Sequence, residues 1–437
     1  MANSDWDIDL LKQYDDKICE IAKSYGLDWF PIIYETCDYY EMIGSMAYHG
    51  MPTHYAHWSF GKSFEKTHQF YNLGMEGLPY ELIINSDPSI AYLMRENPAY
   101  LQILIMAHCV GHSDFFKNNK TFENTNPHTI ISKMRTAKKR IQSYIEDPSI
   151  GIDKVERILD AAHTVAYQAV WQKRKRISHE IIKNDLVEKI KNDKSGKYKD
   201  VNINKVPLYK DYDLLGFICE HGTGLEDWEV DCINIVRNEM KYFSPQMKTK
   251  IINEGWASFW HFKICNDLNL PQKYHLPFLK SHNQVVQPHI GRINPYNVGF
   301  HLFNKIEERY GLDRCFLARE ICHDESFIRE YFTEEDCLEL NMFSFSMKRT
   351  GYSIDEISDI DGWKQVKQSL IRNISVNTIP KIYVKEMEIG NILSLAHEHD
   401  GRDLELSYAD EVVKSVMILW SDVVKLHTVI EEEPWEI

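Results

Sequence analysis

At 437 residues the chain is too long for one simple core, and two or three domains are expected. With 43 % hydrophobic and 26 % charged residues it has the make-up of a folded globular protein, not of a disordered one. Its net charge of −15 argues against broad, sequence-independent binding to nucleic acid or to anionic membrane surfaces.

Residues 1–9 are polar and acidic, without the basic flank and apolar segment of a signal peptide. No apolar run is long enough to predict a membrane span. Nine scattered cysteines with no CxxC pair read as reduced thiols of a cytoplasmic protein and argue against a cysteine-rich zinc module or an iron–sulfur cluster.

Apolar positions at helical spacing predict a first helix over 9–25. A polar, aromatic-rich stretch follows over 28–76 and holds His49, His54, His57 and His68. Pro98 opens a strongly apolar helix over 99–117, with Leu101, Leu104, Ile105 and Val110 on its apolar face. Further helices are predicted over 127–145 and 152–191. The basic run Lys173-Arg174-Lys175-Arg176 reads as a solvated helix face, and the lysine-rich segment 192–211, with Gly196 and Pro207, as a flexible insertion. Helical patterning returns over 226–242, and Pro245 is placed near the start of the helix that carries residues 253–266. Two more helices are expected over 298–310 and 312–320. After about residue 335 the pattern changes. A strand over 342–349, a helix over 362–375, strands over 381–387 and 391–397, a helix over 408–420 and a strand over 424–430 give the β-α-β-β-α-β order of a split βαβ, ferredoxin-like domain.

The sharpest chemical signal is Met106-Ala107-His108-Cys109-Val110-Gly111-His112. On a helix, His108 and His112 stand four apart on one face, so their two imidazoles can bind one metal ion. The HExxH metalloproteases use the same geometry, with a glutamate directly after the first histidine as general base. Here Cys109 holds that position and, about 100° further round the helix, points away from the ligand face. The second signal is Asn253-Glu254-Gly255-Trp256-Ala257, similar to the segment in which helical glutamate zinc peptidases place their third ligand. Glu254 is then that ligand. His261, two helical turns along the same face, is a fourth ligand, a partner behind the ligands or a proton donor. Three ligands leave a fourth position open to water, as catalytic zinc sites do. A divalent ion is expected, with zinc favoured for a His/His/Glu set and iron and manganese also accommodated.

Other residues carry weaker signals. Glu81, just before an apolar run, reads either as an acid or base or as a structural hydrogen-bond acceptor. His282, His289, Arg292 and Tyr296 cluster in a polar stretch broken by Pro288 and Pro295. Folded over the site, His289, Arg292 or Tyr296 would stabilise an oxyanion; packing and turn roles are the alternative. Glu35, Asp38 and Glu41 read as a solvated acidic stripe, and His397 and His399 as surface residues. His54 and His57 line a substrate channel or pack on aromatic rings. A di-iron carboxylate bundle fails for want of a second ExxH pair, and no phosphate-binding GxxxxGK[ST] loop is present.

The run His57-Trp58-Ser59-Phe60-Gly61-Lys62 resembles the SpoVR family, as do the segments 80–86, 107–119, 253–261, 292–299 and 400–406. These blocks stand in family order over nearly the whole chain. The resemblance implies a cytoplasmic bacterial protein, linked in spore formers to assembly of the peptidoglycan cortex and accompanied elsewhere by a PrkA-type serine kinase. It names a process and leaves the reaction open. The expected fold is mainly α: a helical zincin-like metal-binding core over 1–335, then a small α+β domain over 336–437. The expected function is that of a metal-dependent hydrolase acting on an amide bond of a peptide or cell-wall precursor, with Glu81 or His261 as the proton carrier. The alternative is a regulatory or scaffold protein with a structural or vestigial metal.

Overall fold

The computed structural model describes residues 5–73, 81–172, 177–192, 202–289, 292–348, 351–357 and 362–437, with the backbone alone over 343–348 and 351–357. The basic run at 173–176 lies outside the described residues. In chain order the elements are α1 (Ile8–Ser24), β1 (Ile32–Cys37), α2 (Tyr39–Ala47), α3 (Trp58–Asn72), β2 (Glu81–Ile84), β3 (Ser89–Met94), α4 (Ala99–Asn118), α5 (Ile130–Glu146), α6 (Ile152–Ala166), α7 (His179–Asn192), α8 (Leu214–His221), α9 (Asp227–Lys248), α10 (Lys250–Asp267), α11 (Gln272–Val285), α12 (Pro295–Tyr310), α13 (Leu312–Ile321), α14 (Asp324–Tyr331), α15 (Glu334–Glu339), β4 (Phe343–Lys348), β5 (Gly351–Ile357), α16 (Trp363–Arg372), β6 (Ile382–Glu388), β7 (Ile392–His397), α17 (Leu406–Trp420), β8 (Val424–Ile430) and β9 (Glu433–Glu436). The chain is mainly helical, and no helix of the described residues is long and apolar enough to cross a membrane.

The elements group into two compact units. One comprises Met1–Lys138 and Pro245–Asn377, the other Lys139–Ser244 and Thr378–Ile437. The units therefore part elsewhere than at residue 335. Val366, Leu370 and Ile371 of α16 are buried in the core of the first unit, which keeps this helix with α14 and α15.

The first unit is organised around α4 and α10. Both are buried on nearly every side, as expected of helices without a polar face. Neither is capped by its own N-terminal residue, and distant carboxylates do that work. Ala99 N donates to Asp5 at 2.7 Å, and Ile252 N donates to the buried Asp324 at 2.9 Å. Glycines let the backbones close in. A Cβ built on Gly111 of α4 would stand 2.7 Å from the Ala257 Cα of α10, and one on Gly255 of α10 would collide with the backbone of Gly299 in α12. A three-stranded sheet of order β1-β3-β2 packs on α4, with β1 and β3 parallel and β2 antiparallel to β3. Its register sets Glu81 opposite Leu93.

In the second unit, α6 packs on α8 and α17, and α17 packs on β8 of a four-stranded sheet of order β6-β7-β8-β9. The late strands do not form the single split βαβ sheet that their order suggested. Strand β4 is hydrogen-bonded to β5, a strand the patterning had not shown, and the two make a sheet of their own. The helix expected over 152–191 is interrupted after Ala166 by a 3-10 turn, Tyr167–Trp171. There the Gln168 side chain accepts from Ile382 N at 2.9 Å and donates to Pro380 O at 3.1 Å, which ties the turn to the start of β6. Of the flexible insertion expected over 192–211, residues 193–201 lie outside the described residues, and 202–211 form a loop without helix or strand that is tied down at two points. Met387 N donates to Val206 O at 2.7 Å and Val384 N to Asp211 O at 2.8 Å, so this segment covers the outer edge of β6. Pro245 lies in the last turn of α9, before α10 begins.

Candidate metal centre

Three elements aim four side chains at one point. Helix α4 supplies His108 and His112 one turn apart, α10 supplies Glu254, and the first residue of β2 supplies Glu81. One ligand-type atom from each lies within 4.8 Å of all the others. His112 Nε2 is 3.3 Å from Glu254 Oε2, and His108 Nε2 is 3.7 Å from the same oxygen. His108 Nε2 is also 3.5 Å from Glu81 Oε1. Two donors bound tetrahedrally to zinc at about 2.1 Å stand about 3.4 Å apart, so these spacings suit a shared ion. His108 Nε2 and Glu254 Oε2 are both buried and have no hydrogen-bond partner. Leaving such atoms unsatisfied costs about 1–3 kcal/mol each, and a cation between them removes that cost.

The charges in the cluster are adjusted to one another. Burial tends to raise the Glu254 carboxyl, but the close approach and charge of His108 and His112 outweigh it and hold the carboxyl well below its ordinary range. Burial tends to lower His112, but Glu254, Glu81 and Asn253 together raise it. Tyr296, at the start of α12, sits half-buried with its hydroxyl toward Glu254 and Glu81. Burial and then the two negative charges push its phenol well above the ordinary value.

Each imidazole is held from behind. His112 Nδ1 donates to Asn253 Oδ1 at 3.0 Å. His108 Nδ1 is 2.8 Å from His261 Nδ1, and His261 Nε2 is 2.7 Å from His282 Nδ1. His261 is thus placed behind a ligand and not among the ligand atoms. Burial pulls His261 well below the ordinary histidine value and, with the charge on His108, pulls His282 to about 4.

The residues singled out from the sequence therefore separate. His108, His112, Glu254, Glu81, Tyr296 and His261 are brought together. His289 and Arg292 are exposed and pair with each other in an isolated antiparallel bridge, and among the described residues no contact joins them to the cluster. Cys109 is buried in the core, which pushes its thiol well above the ordinary value. Asp38 and Glu41 form the capping box of α2 and Glu41 also pairs with Arg95, whereas Glu35 stands exposed on β1, so the three do not make one helical stripe. His57 is the N-cap of α3, His54 packs against Tyr55 and Phe60, and His399 pairs with Asp403. The roles of Asn253 and His282 had not been read from the sequence. Asn253 was signalled only by standing next to Glu254, and His282 only by its place in the polar stretch with His289, Arg292 and Tyr296.

A family model described as SpoVR like protein matches residues 5–379. The chain is also 32 % identical over 473 aligned positions to the uncharacterized protein YcgB of Escherichia coli (strain K12), an alignment that covers 95 % of this chain and 91 % of that protein. No solved structure matches the chain. The matched span takes in every residue of the cluster and the histidines behind it, and on these two likenesses the chain belongs to the SpoVR family.

Proposed function

We propose that the chain is a divalent-metal-dependent hydrolase that cleaves an amide bond, with a peptide or cell-wall precursor as substrate. The observation that carries this reading is the convergence of the unpartnered His108 Nε2 and Glu254 Oε2 with His112 and Glu81. A divalent ion bound there supplies Lewis acidity and lowers the pKa of a water to about 7. His108, His112 and Glu254 are the residues that hold it, with zinc favoured and iron and manganese accommodated. Glu81, reaching in from β2, takes the place of the glutamate that is absent beside His108, and its carboxylate accepts the proton of the attacking water. Tyr296, kept protonated by burial and by two carboxylates, donates to the developing oxyanion. With His261 behind His108, the proton-carrying role falls to Glu81. On this reading the helical core is zincin-like and the protein works in the cytoplasm. Cortex assembly is its process in spore formers, and a PrkA-type serine kinase its functional companion.

One observation favours a second reading, a regulatory or scaffold protein with a structural metal. Glu81 Oε1 stands as near to His108 Nε2 as Glu254 does, so Glu81 can close the fourth position. Elemental analysis of protein purified without chelator, beside a His108→Ala/His112→Ala variant, tests the shared premise. About one ion per chain is expected in the wild type and none in the variant, and negligible metal in both proteins ends the hydrolase and structural-metal readings and leaves only a scaffold with a vestigial site. Glu81→Gln then separates them. The hydrolase reading expects metal retained and amide cleavage lost across a panel of peptide and muropeptide amides. The structural reading expects metal weakened and no cleavage by either protein.

A further inference from the structure

We infer that His261 and His282 form a positioning relay that fixes the tautomer of His108, so that this ligand presents a lone pair and not an N–H to the metal. The inference rests on the metal-site reading above. The relay is a row of three imidazoles. His108 Nδ1 and His261 Nδ1 are 2.8 Å apart, and His261 Nε2 and His282 Nδ1 are 2.7 Å apart. All three rings are buried, with 2 %, 0 % and 2 % of their surface exposed, so water does not compete for these contacts.

A nitrogen–nitrogen contact of this length needs one N–H and one lone pair. A neutral imidazole has one of each, so the two contacts allow only two arrangements for the row. In the first, protons sit on His108 Nδ1, His261 Nε2 and His282 Nε2, and the His108 Nε2 lone pair faces Glu81 and Glu254. In the second, protons sit on His282 Nδ1, His261 Nδ1 and His108 Nε2, and an N–H faces those carboxylates. Only the first arrangement lets His108 act as a ligand. Its acceptor is His261, which keeps a lone pair on Nδ1 only while its own N–H is donated onward. His282 provides the place for that donation. Phe262, Phe278 and Phe300 surround the His282 ring at centroid distances of 4.6, 6.3 and 4.8 Å and hold its Nδ1 toward His261. His112 needs no such row, because the Asn253 side chain accepts its Nδ1–H directly.

The test uses the full chain and Zn2+ as the probe. Nitrogen NMR of the histidine-labelled, zinc-loaded protein should show His261 and His282 both protonated on Nε2; a proton on Nδ1 of His282 would overturn the relay. Zinc affinity, measured by competition with a chromophoric chelator, gives the second arm. His282→Phe should bind about 10–100-fold more weakly, the loss usual for a partner behind a metal ligand. His282→Asn, whose amide oxygen can stand where Nδ1 stood, should restore affinity to within about threefold of wild type. A purely structural ring would be replaced as well or better by phenylalanine, so equal affinity of wild type and His282→Phe refutes the relay while leaving the metal site intact. A wild-type chain that binds no zinc refutes the metal reading itself, and the relay with it. Should His282→Phe not fold, the NMR arm on the wild type still decides.

Discussion

Gly111→Ala should perturb the proposed metal centre without touching any of its four side chains. Gly111 lies between His108 and His112, where α4 meets α10. A Cβ at this position would stand 2.7 Å from the Ala257 Cα and 3.3 Å from the Ala257 Cβ. Ordinary carbon contacts are about 3.5–4.0 Å, so the two helices must part by about 1 Å. Overpacking of this kind costs about 1–3 kcal/mol. Alanine returns about 1 kcal/mol of helix propensity, which leaves a net loss of about 0–2 kcal/mol. The effect on metal is larger in proportion. Ala257 is one turn from Glu254, whose Oε2 is 3.3 Å from His112 Nε2, and metal–ligand distances tolerate only about 0.2 Å. Zinc affinity should fall about 10–100-fold with every ligand present. Chelator competition measures the affinity, and urea unfolding of the metal-free protein measures the stability. Gly61→Ala is the control. It lies on α3, where a Cβ would meet nothing within 4 Å, so it should leave affinity unchanged and add up to about 1 kcal/mol. If Gly111→Ala binds zinc as tightly as the wild type at unchanged stability, the helix approach does not set the site.

Three further outcomes are expected. Asp213 is fully buried, accepts from Arg237 at 2.6–2.9 Å and lies 3.0 Å from Lys241 Nζ, so Asp213→Asn should cost about 3 kcal/mol in urea unfolding, and a loss below about 1 kcal/mol would contradict this. Burial tends to raise the Asp213 carboxyl, but Arg237 and Lys241 hold it below the ordinary value of 3.8. Its stabilisation is therefore present above that pH and lost as pH falls through the folded-state value, and the wild type should lose stability more steeply than Asp213→Asn at acid pH. Asp324→Ala removes the buried acceptor that caps α10 and should cost about 2 kcal/mol, whereas Asp324→Asn, which keeps an acceptor oxygen, should cost measurably less; equal losses would show that the cap contributes nothing.

The ligand helices were legible because their signals are local. Two histidines one turn apart fix their own geometry on any helix, and a long apolar run with no polar face had to be a buried helix. Glu81 was legible as a candidate but not as a neighbour of His108, since its position depends on how β2 registers with β3. His282 joins the site through α11 packing beside α4 and α10, which no short window contains. The same limit explains the late strands. Patterning finds strands singly, and the order β-α-β-β-α-β suggested one sheet. Which strand takes which partner was decided by β5, whose pairing leaves β4 outside the second unit's sheet. The break after Ala166 is likewise a tertiary effect, made by a glutamine that bonds to residues more than two hundred positions away.

The interleaving of the two units bears on how the chain is made. His108 belongs to the first stretch of its unit and Glu254 to the second, with Lys139–Ser244 of the other unit translated in between. At elongation rates of about 5–20 residues per second that delay is roughly 5–20 s. Throughout it α4, apolar on all sides, has emerged without the helix that covers it. During that interval α1 and the β1-β3-β2 sheet are the partners already available to α4, and the face that meets α10 stays open. Glu254 joins His108, His112 and Glu81 only once α10 has been made, so the four side chains are first assembled past the midpoint of the chain.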